Sequence, residues 1–128
     1  MSNSKPEIIT EVNSIADFRQ ILASNPGLVV LKMGAEWCGP CKAVHKIVEE
    51  GIAHLPANVQ AVVVDIDDSF ELYAYLKNKK RVNGIPAFLT WKQGNESDIA
   101  DDVVLGADPK QVVGFFQRAI SLAATMMA

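Results

Sequence analysis

Cys38 and Cys41 are the only cysteines among 128 residues, and they stand together as Trp37-Cys38-Gly39-Pro40-Cys41-Lys42. Placed at the start of a helix, two thiols three residues apart share one turn. The first then faces the unpaired backbone N–H groups and the positive end of the helix dipole, which favour a thiolate. Lowering a thiol pKa from about 8.5 to about 7 stabilises the thiolate by roughly 2 kcal/mol. Such a thiolate can attack a disulfide on another molecule, and the second thiol can close on the first. Gly39 and Pro40 let the chain enter the helix tightly, since proline is tolerated in the first turn. Gly-Pro is also poor core-filling sequence, which argues against two inert buried cysteines. A secreted disulfide framework would need more cysteines spread along the chain. A four-cysteine zinc site would need a second pair.

The elements that must position these thiols follow from hydrophobic period. Residues 28–33 form an almost continuous apolar run, the signature of a central strand buried on both faces. A helix begins near Cys38, with Ala43, Val44, Ile47 and Val48 inward and His45, Lys46, Glu49 and Glu50 outward. Upstream, residues 8–12 fit a short first strand. Ser14 caps a helix whose Ile15, Phe18, Ile21 and Leu22 recur at helical spacing, with Asp17 as an imperfect capping box. Asn25-Pro26-Gly27 ends it as a turn.

Downstream, residues 61–66 are β-branched and read as a second central strand. Residues 70–80 form a third helix with Leu72, Tyr73 and Leu76 inside. Residues 87–91 make another strand, Lys92-Gln93-Gly94-Asn95 a hairpin turn, and residues 101–105 the returning strand. Asp108 caps the last helix, with Pro109 at its first position and Gln111 completing a capping box. Val112, Val113, Phe115, Phe116, Ala119 and Ile120 supply its apolar side. The order β-α-β-α-β-α-β-β-α predicts an α/β fold, a central mixed sheet flanked by helices on both faces. Residues 8–128 are expected to form one domain, preceded by a flexible N-terminus at residues 1–7.

Composition bounds the function. The chain is 49% hydrophobic with mixed charge, which excludes wholesale disorder. A net charge of −3 gives no reason to expect nucleic acid. Residues 1–7 are polar and lack the apolar core of a signal peptide. No apolar run approaches the roughly 20 residues of a membrane span. A reducing, cytoplasmic compartment is the expectation.

With these landmarks the chain resembles the thioredoxin family over residues 8–123. The segment Ala35-Glu36-Trp37-Cys38-Gly39-Pro40-Cys41-Lys42 is close to the family signature, Gly84-Ile85-Pro86-Ala87-Phe88 is similar to its cis-proline loop, and Gly106 matches a glycine of its substrate groove. The resemblance implies the thioredoxin fold and reduction of protein disulfides, with Cys38 as nucleophile and Cys41 as resolving thiol. It implies a client groove formed by Trp37, Gly39, Pro40, Ile85, Pro86 and Gly106. No bound cofactor and no metal are implied, only the redox-active disulfide. The implied partners are disulfide-bearing proteins and a reductase similar to thioredoxin reductase, acting on a monomer without nucleic acid or membrane.

Departures from the family pattern accompany the match. Six residues before Cys38 the family usually buries an acid thought to take the proton of the resolving cysteine; here it is Lys32, in an apolar strand. Burial would depress its pKa and let a neutral amine act as a base, a charged Lys32 would favour thiolate at Cys41, and a snorkelling one would stand aside. Val63 or Val64 stands near the place of a lysine common in bacterial members. Lys46 replaces a helix-kinking proline, so a straighter helix is expected. Segments 67–82 and 94–102 are longer than usual, the first with Lys77, Lys79, Lys80 and Arg81, the second with Glu96, Asp98, Asp101 and Asp102. Both read as solvated surface or as devices that choose a partner by charge.

Other functions compete on specific residues. Cys38, Cys41 and His45 fall on one helical face and could ligate a metal, although the apolar stripe turns His45 outward. A binding subunit of a larger assembly is the alternative from another class, against which both cysteines and Trp37 are present. Oxidases and isomerases of this fold more often carry His between the cysteines, where this chain has Gly-Pro.

Overall fold

The seven-residue strand β1 (Leu28–Gly34) is buried along almost its whole length, and the rest of the fold exists to cover it. A computed structural model describes residues 5–127. Helix α1 (Ile15–Ala23) precedes β1. Helices α2 (Gly39–Ala43) and α3 (His45–Ala53) follow, then β2 (Val59–Asp65), α4 (Phe70–Asn78), β3 (Ala87–Lys92), β4 (Asp102–Leu105) and α5 (Pro109–Thr125). The sheet order is β2-β1-β3-β4. β1 pairs with β2 in parallel from Leu28↔Val59 to Gly34↔Asp65, and with β3 antiparallel. β3 and β4 form the antiparallel hairpin. A parallel pair needs a long crossover, and α2 and α3 provide it.

Alternation along β1 splits the core in two. Val29, Leu31 and Met33 face α1 and α4, packing with Phe18, Leu22, Leu72, Leu76 and Trp91. Phe18 meets Trp91 edge-to-face at 5.2 Å between ring centres. Leu28 and Val30 face α3 and α5, where Phe88, Phe115 and Phe116 form an aromatic cluster. The expected α/β architecture, a mixed sheet with helices on both faces, is the one observed.

Local differences have physical causes. Residues 8–12 do not form a strand: Ile9 makes one parallel bridge with Val62, donating to Ala61 O at 3.0 Å and accepting from Val63 N at 2.8 Å. By Val12 the chain has turned off the sheet, and the Val12 N–H donates to Ser69 Oγ at 2.9 Å. The helix after Cys38 is not straighter without its proline; it breaks at Val44 (φ −107°, ψ 8°), a fully buried β-branched residue. Ala43 is exposed rather than inward, as is Val113 in α5. Ser14 caps α1 by accepting from the Asp17 N–H at 3.0 Å. Asp108 stands at the N-cap of α5 without a side-chain cap bond, so the capping box with Gln111 does not form, and Pro109 starts the helix unaided. Of residues 1–7, expected to be flexible, 1–4 lie outside the described residues. Lys5 Nζ donates to Ala53 O at 2.6 Å, and Gln60 Nε2 donates to Glu7 O at 2.8 Å.

Gly51 sets how closely α3 approaches α5. A Cβ at this position would lie 2.6 Å and 2.7 Å from two carbons of the buried Phe116 ring, closer than real Cβ contacts occur. Gly51→Ala therefore forces the helices apart or the ring off its rotamer, at a cost of about 1–3 kcal/mol. The expected outcome is a melting temperature roughly 3–10 °C lower by calorimetry; an unchanged value would show that the α3–α5 contact has slack.

Candidate functional site

β1 and β2 run parallel, so their C-terminal ends lie side by side, the usual place for a site in such sheets. The chain leaves β1 at Gly34, and a turn in which the Cys38 N–H donates to Ala35 O (3.1 Å) brings it to α2. Cys38 is the N-cap of α2, in extended conformation, and its sulfur accepts the Cys41 N–H at 3.2 Å. Cys38 and Cys41 are joined as a disulfide, with Cα atoms 5.3 Å apart. Because α2 has only five residues before the break at Val44, a long helix dipole is not what polarises Cys38. The Cys41 N–H, which the Cys38 sulfur accepts, is the first-turn group aimed at it. Both cysteines are buried, at 4% and 6% exposure. A client disulfide must therefore be guided to them.

The expected groove residues are distributed around this disulfide. Trp37 is 65% exposed, not core, and its Nε1–H donates to Asp67 Oδ2 at 2.8 Å. Gly39 and Pro40 are exposed. Ile85 is half-buried and packs on the same apolar cluster as both cysteines. The Ile85–Pro86 bond is cis. Pro86 O accepts the Gly106 N–H at 2.9 Å, and Gly106 has φ +99°, a conformation that favours glycine.

Behind the disulfide lies an open cleft of about 580 Å³, lined by Lys32, Gly34, Cys41 and Asp65 among others. Burial pushes the Lys32 amine below its ordinary range, and the Asp65 carboxylate opposes this by pulling it up. Asp65 accepts from the backbone N–H groups of Glu36 (2.9 Å) and Asp67 (2.8 Å), so it also shapes the loops around the site. Sequence reasoning missed Asp65, Asp67 and Gly34. The run Asp65-Ile66-Asp67-Asp68 was the available signal, because a parallel second strand must deliver its C-terminal acids beside the dithiol.

His45 points outward and lies 3.5 Å from Glu49, with both side chains exposed. It does not join the cysteines as a ligand set, and among the described residues no group of three His, Cys, Asp or Glu is placed to hold a metal. His54 Nδ1 lies 2.7 Å from Glu50 O. Among the described residues no helix is long and apolar enough to cross a membrane.

Comparison with known proteins agrees with this geometry. The thioredoxin family model matches residues 9–116. A thioredoxin-like protein of Synechocystis sp. is 32% identical over 79 residues, covering 62% of this chain and 71% of that protein. The thioredoxin of Chlamydia trachomatis is 37% identical over 91 residues, 69% of this chain and 79% of the relative. The crystal structure of thioredoxin from Trypanosoma brucei brucei matches with a TM-score of 0.69 at 28% identity, covering 94% of this chain and 97% of that one.

The two long segments engage each other. Arg81, from the first, donates through Nε to Asp98 Oδ2 of the second at 2.7 Å. Lys77 and Lys79 lie over the rings of Tyr73 and Tyr75, 5.7 Å and 5.8 Å from their centres. Asp101 accepts from Lys92 N and Asn95 Nδ2, and Asp102 pairs with Arg118. Much of the charge that could have chosen a partner is thus engaged within the chain. The hydrogen bond from Arg81, foremost, holds the Asp98 carboxyl below its usual range. A depressed folded pKa gives stability that is present above the unfolded value, near 3.9, and lost as pH falls through the folded value. Arg81→Gln should lower the melting temperature at pH 7 by about 2 °C or less, and the difference should vanish in strong acid. A difference that persists there would mean that packing, not charge, joins the segments.

Proposed function

The chain belongs to the thioredoxin family and is a thiol-disulfide oxidoreductase that reduces protein disulfides; from that premise we propose how its residues divide the work. Cys38 is the nucleophile and Cys41 the resolving thiol. The observation that carries this is the N-cap position of Cys38, whose sulfur already accepts the Cys41 N–H. In the reduced protein the Cys38 thiolate attacks one sulfur of a client disulfide. A Cys38–client bond forms, and the other client sulfur leaves as a thiolate. Cys41 then loses its proton to the cleft and attacks Cys38, expelling the remaining client sulfur. The client gains two electrons, and the protein ends as the Cys38–Cys41 disulfide. The second attack occurs within one turn, which makes it effectively unimolecular.

Trp37, Gly39, Pro40, Ile85, Pro86 and Gly106 form the client surface in this reading. Exposed Trp37 and half-buried Ile85 offer apolar contact, and the exposed Gly39-Pro40 turn leaves room for an extended client backbone. Lys32 modulates the dithiol from behind Cys41. A reductase similar to thioredoxin reductase returns the disulfide to the dithiol, and the protein works as a monomer. The cytoplasm suits it, because both cysteines belong to the redox pair and a reducing compartment keeps such a pair supplied with electrons. The redox-active disulfide is the only group the reaction uses.

The test compares the native chain with Cys41→Ser in protein-disulfide reduction driven by a small dithiol. Native turnover should fall at least about a thousandfold in the variant, with client accumulating on Cys38 as a mixed disulfide. Client trapped on neither cysteine, with turnover unaffected, would overturn the division of roles.

A further inference from the structure

β1 is apolar along its length except at Lys32, whose registered neighbours are Val63 on β2 and Phe88 on β3. Strand alternation puts Lys32 on the face of Leu28 and Val30, the one α3 and α5 cover. A lysine stem can follow that apolar surface only if its amine finds an opening. Gly34, two residues on and on the same face, supplies it. A Cβ at Gly34 would lie 2.6 Å from Lys32 Nζ, 3.1 Å from Lys32 Cε and 3.3 Å from Cys41 Sγ. The amine therefore occupies the volume that the missing side chain leaves, against the resolving sulfur. Measured through that point, Nζ and Sγ are at most about 6 Å apart, a range over which one charge shifts another group's protonation.

Asp65 is the registered partner of Gly34 on β2 and lines the same cleft. Its oxygens are held by the Glu36 and Asp67 N–H groups, so its carboxylate is fixed rather than free to swing. The other titratable groups lining this cleft are Asp65 from β2, Glu36 and Lys42 from the active-site loop and α2, His45 from α3 and Asp68 from the loop after β2, with Cys41 as the reacting group.

We propose that Lys32 is a positioning residue for the second half of the reaction: its ammonium, lodged in the space Gly34 leaves open, stabilises the Cys41 thiolate, and the fixed Asp65 carboxylate keeps that ammonium charged. The inference rests on Cys41 being the resolving thiol. It assigns Lys32 the role of a cation, not of a base. A neutral amine would have to take the proton itself. An ammonium lets the proton leave through the open cleft to solvent while the anion stays behind, electrostatically paired. Burial, the larger influence, lowers the Lys32 pKa, and Asp65 works against that lowering.

The decisive measurement uses Cys38→Ser, in which Cys41 is the only thiol left, titrated by ultraviolet thiolate absorbance. Adding Lys32→Met should raise the Cys41 midpoint by about one pH unit, and Lys32→Arg should restore it to within about 0.3 unit. Lys32→Gln keeps a polar side chain of similar reach without the charge and should raise the midpoint likewise; it decides the question if Lys32→Met does not fold. An unchanged midpoint in these variants overturns the proposal. In the two-cysteine protein, Lys32→Met should slow mixed-disulfide resolution about threefold at neutral pH, tenfold less thiolate being partly offset by its greater nucleophilicity. That deficit should disappear above the variant's midpoint, which lost folding would not produce. Asp65→Asn should lower the midpoint of Lys32 followed by side-chain NMR, and a Lys32 midpoint that does not move removes Asp65 from the device. The Cys41 titration needs no client. A shifted midpoint in a protein that resolves no mixed disulfide would overturn the role given to Cys41 while leaving its coupling to Lys32 standing.

Discussion

Burying β1 on both faces is the constraint on which this molecule depends. A strand flanked by β2 and β3 and covered above and below has no solvated side, so nearly every residue in it must be apolar. Chemistry is then confined to where the covering stops, the C-terminal end of β1. There the chain has just left the sheet, the Cys41 N–H at the start of α2 is turned onto the Cys38 sulfur, and β2 ends alongside. The dithiol, the acids of β2 and the Ile85–Gly106 region gather at this end because parallel and antiparallel pairing to one strand fixes where each neighbour terminates. Helices α1 and α4 on one side and α3 and α5 on the other supply the burial that makes the end rigid.

What was legible in the sequence followed from local rules. The continuous apolar run of β1 and the helical stripes of α1, α4 and α5 are read from hydrophobic pattern, and the Cys38–Cys41 chemistry is read from spacing. Ser14 behaved as a cap because its hydroxyl needs only a backbone N–H three residues away. What was not legible depended on partners distant in sequence. Whether residues 8–12 form a strand depends on where the chain leaves the β2 edge, and only Ile9 bridges before the Val12 N–H is drawn to Ser69 Oγ. The break at Val44, where a fully buried residue leaves helical dihedrals, is not visible in the helical pattern. Asp108 has the composition of a cap without the bond. Asp67 could not be tied to Trp37, nor Arg81 to Asp98, until the loops were placed in space.

The acids after β2 show how one short segment can serve several purposes. Asp65 secures the turn leading into the active site by accepting Glu36 N–H, and its own loop by accepting Asp67 N–H. Asp67 then fixes the exposed indole of Trp37. A large aromatic left in water has less rotamer freedom to lose when one edge is already tethered, which lowers the entropic cost of any contact it makes. The acids therefore preorganise the front of the site as well as charging its rear.

Gly34 is where packing and chemistry meet. A side chain here would stand between Lys32 and Cys41, and the space could then hold neither the amine nor a well-packed alternative without shifting the sulfur. With glycine, the strand keeps its backbone pairing, Gly34 O accepting the Ile66 N–H at 2.9 Å, while the side-chain volume passes to a residue two positions away. That amine can neither sink into the apolar face nor escape fully to solvent. At such a half-buried position a single charge acts in a medium less screening than water, and the fixed carboxylate works for that charge while burial, the larger influence, works against it. A lysine in the centre of a buried strand looks like an error of composition only when position 32 is read alone. Read with Gly34 and Asp65, it is a charge brought to the one place in β1 where burial is incomplete and a sulfur stands within reach.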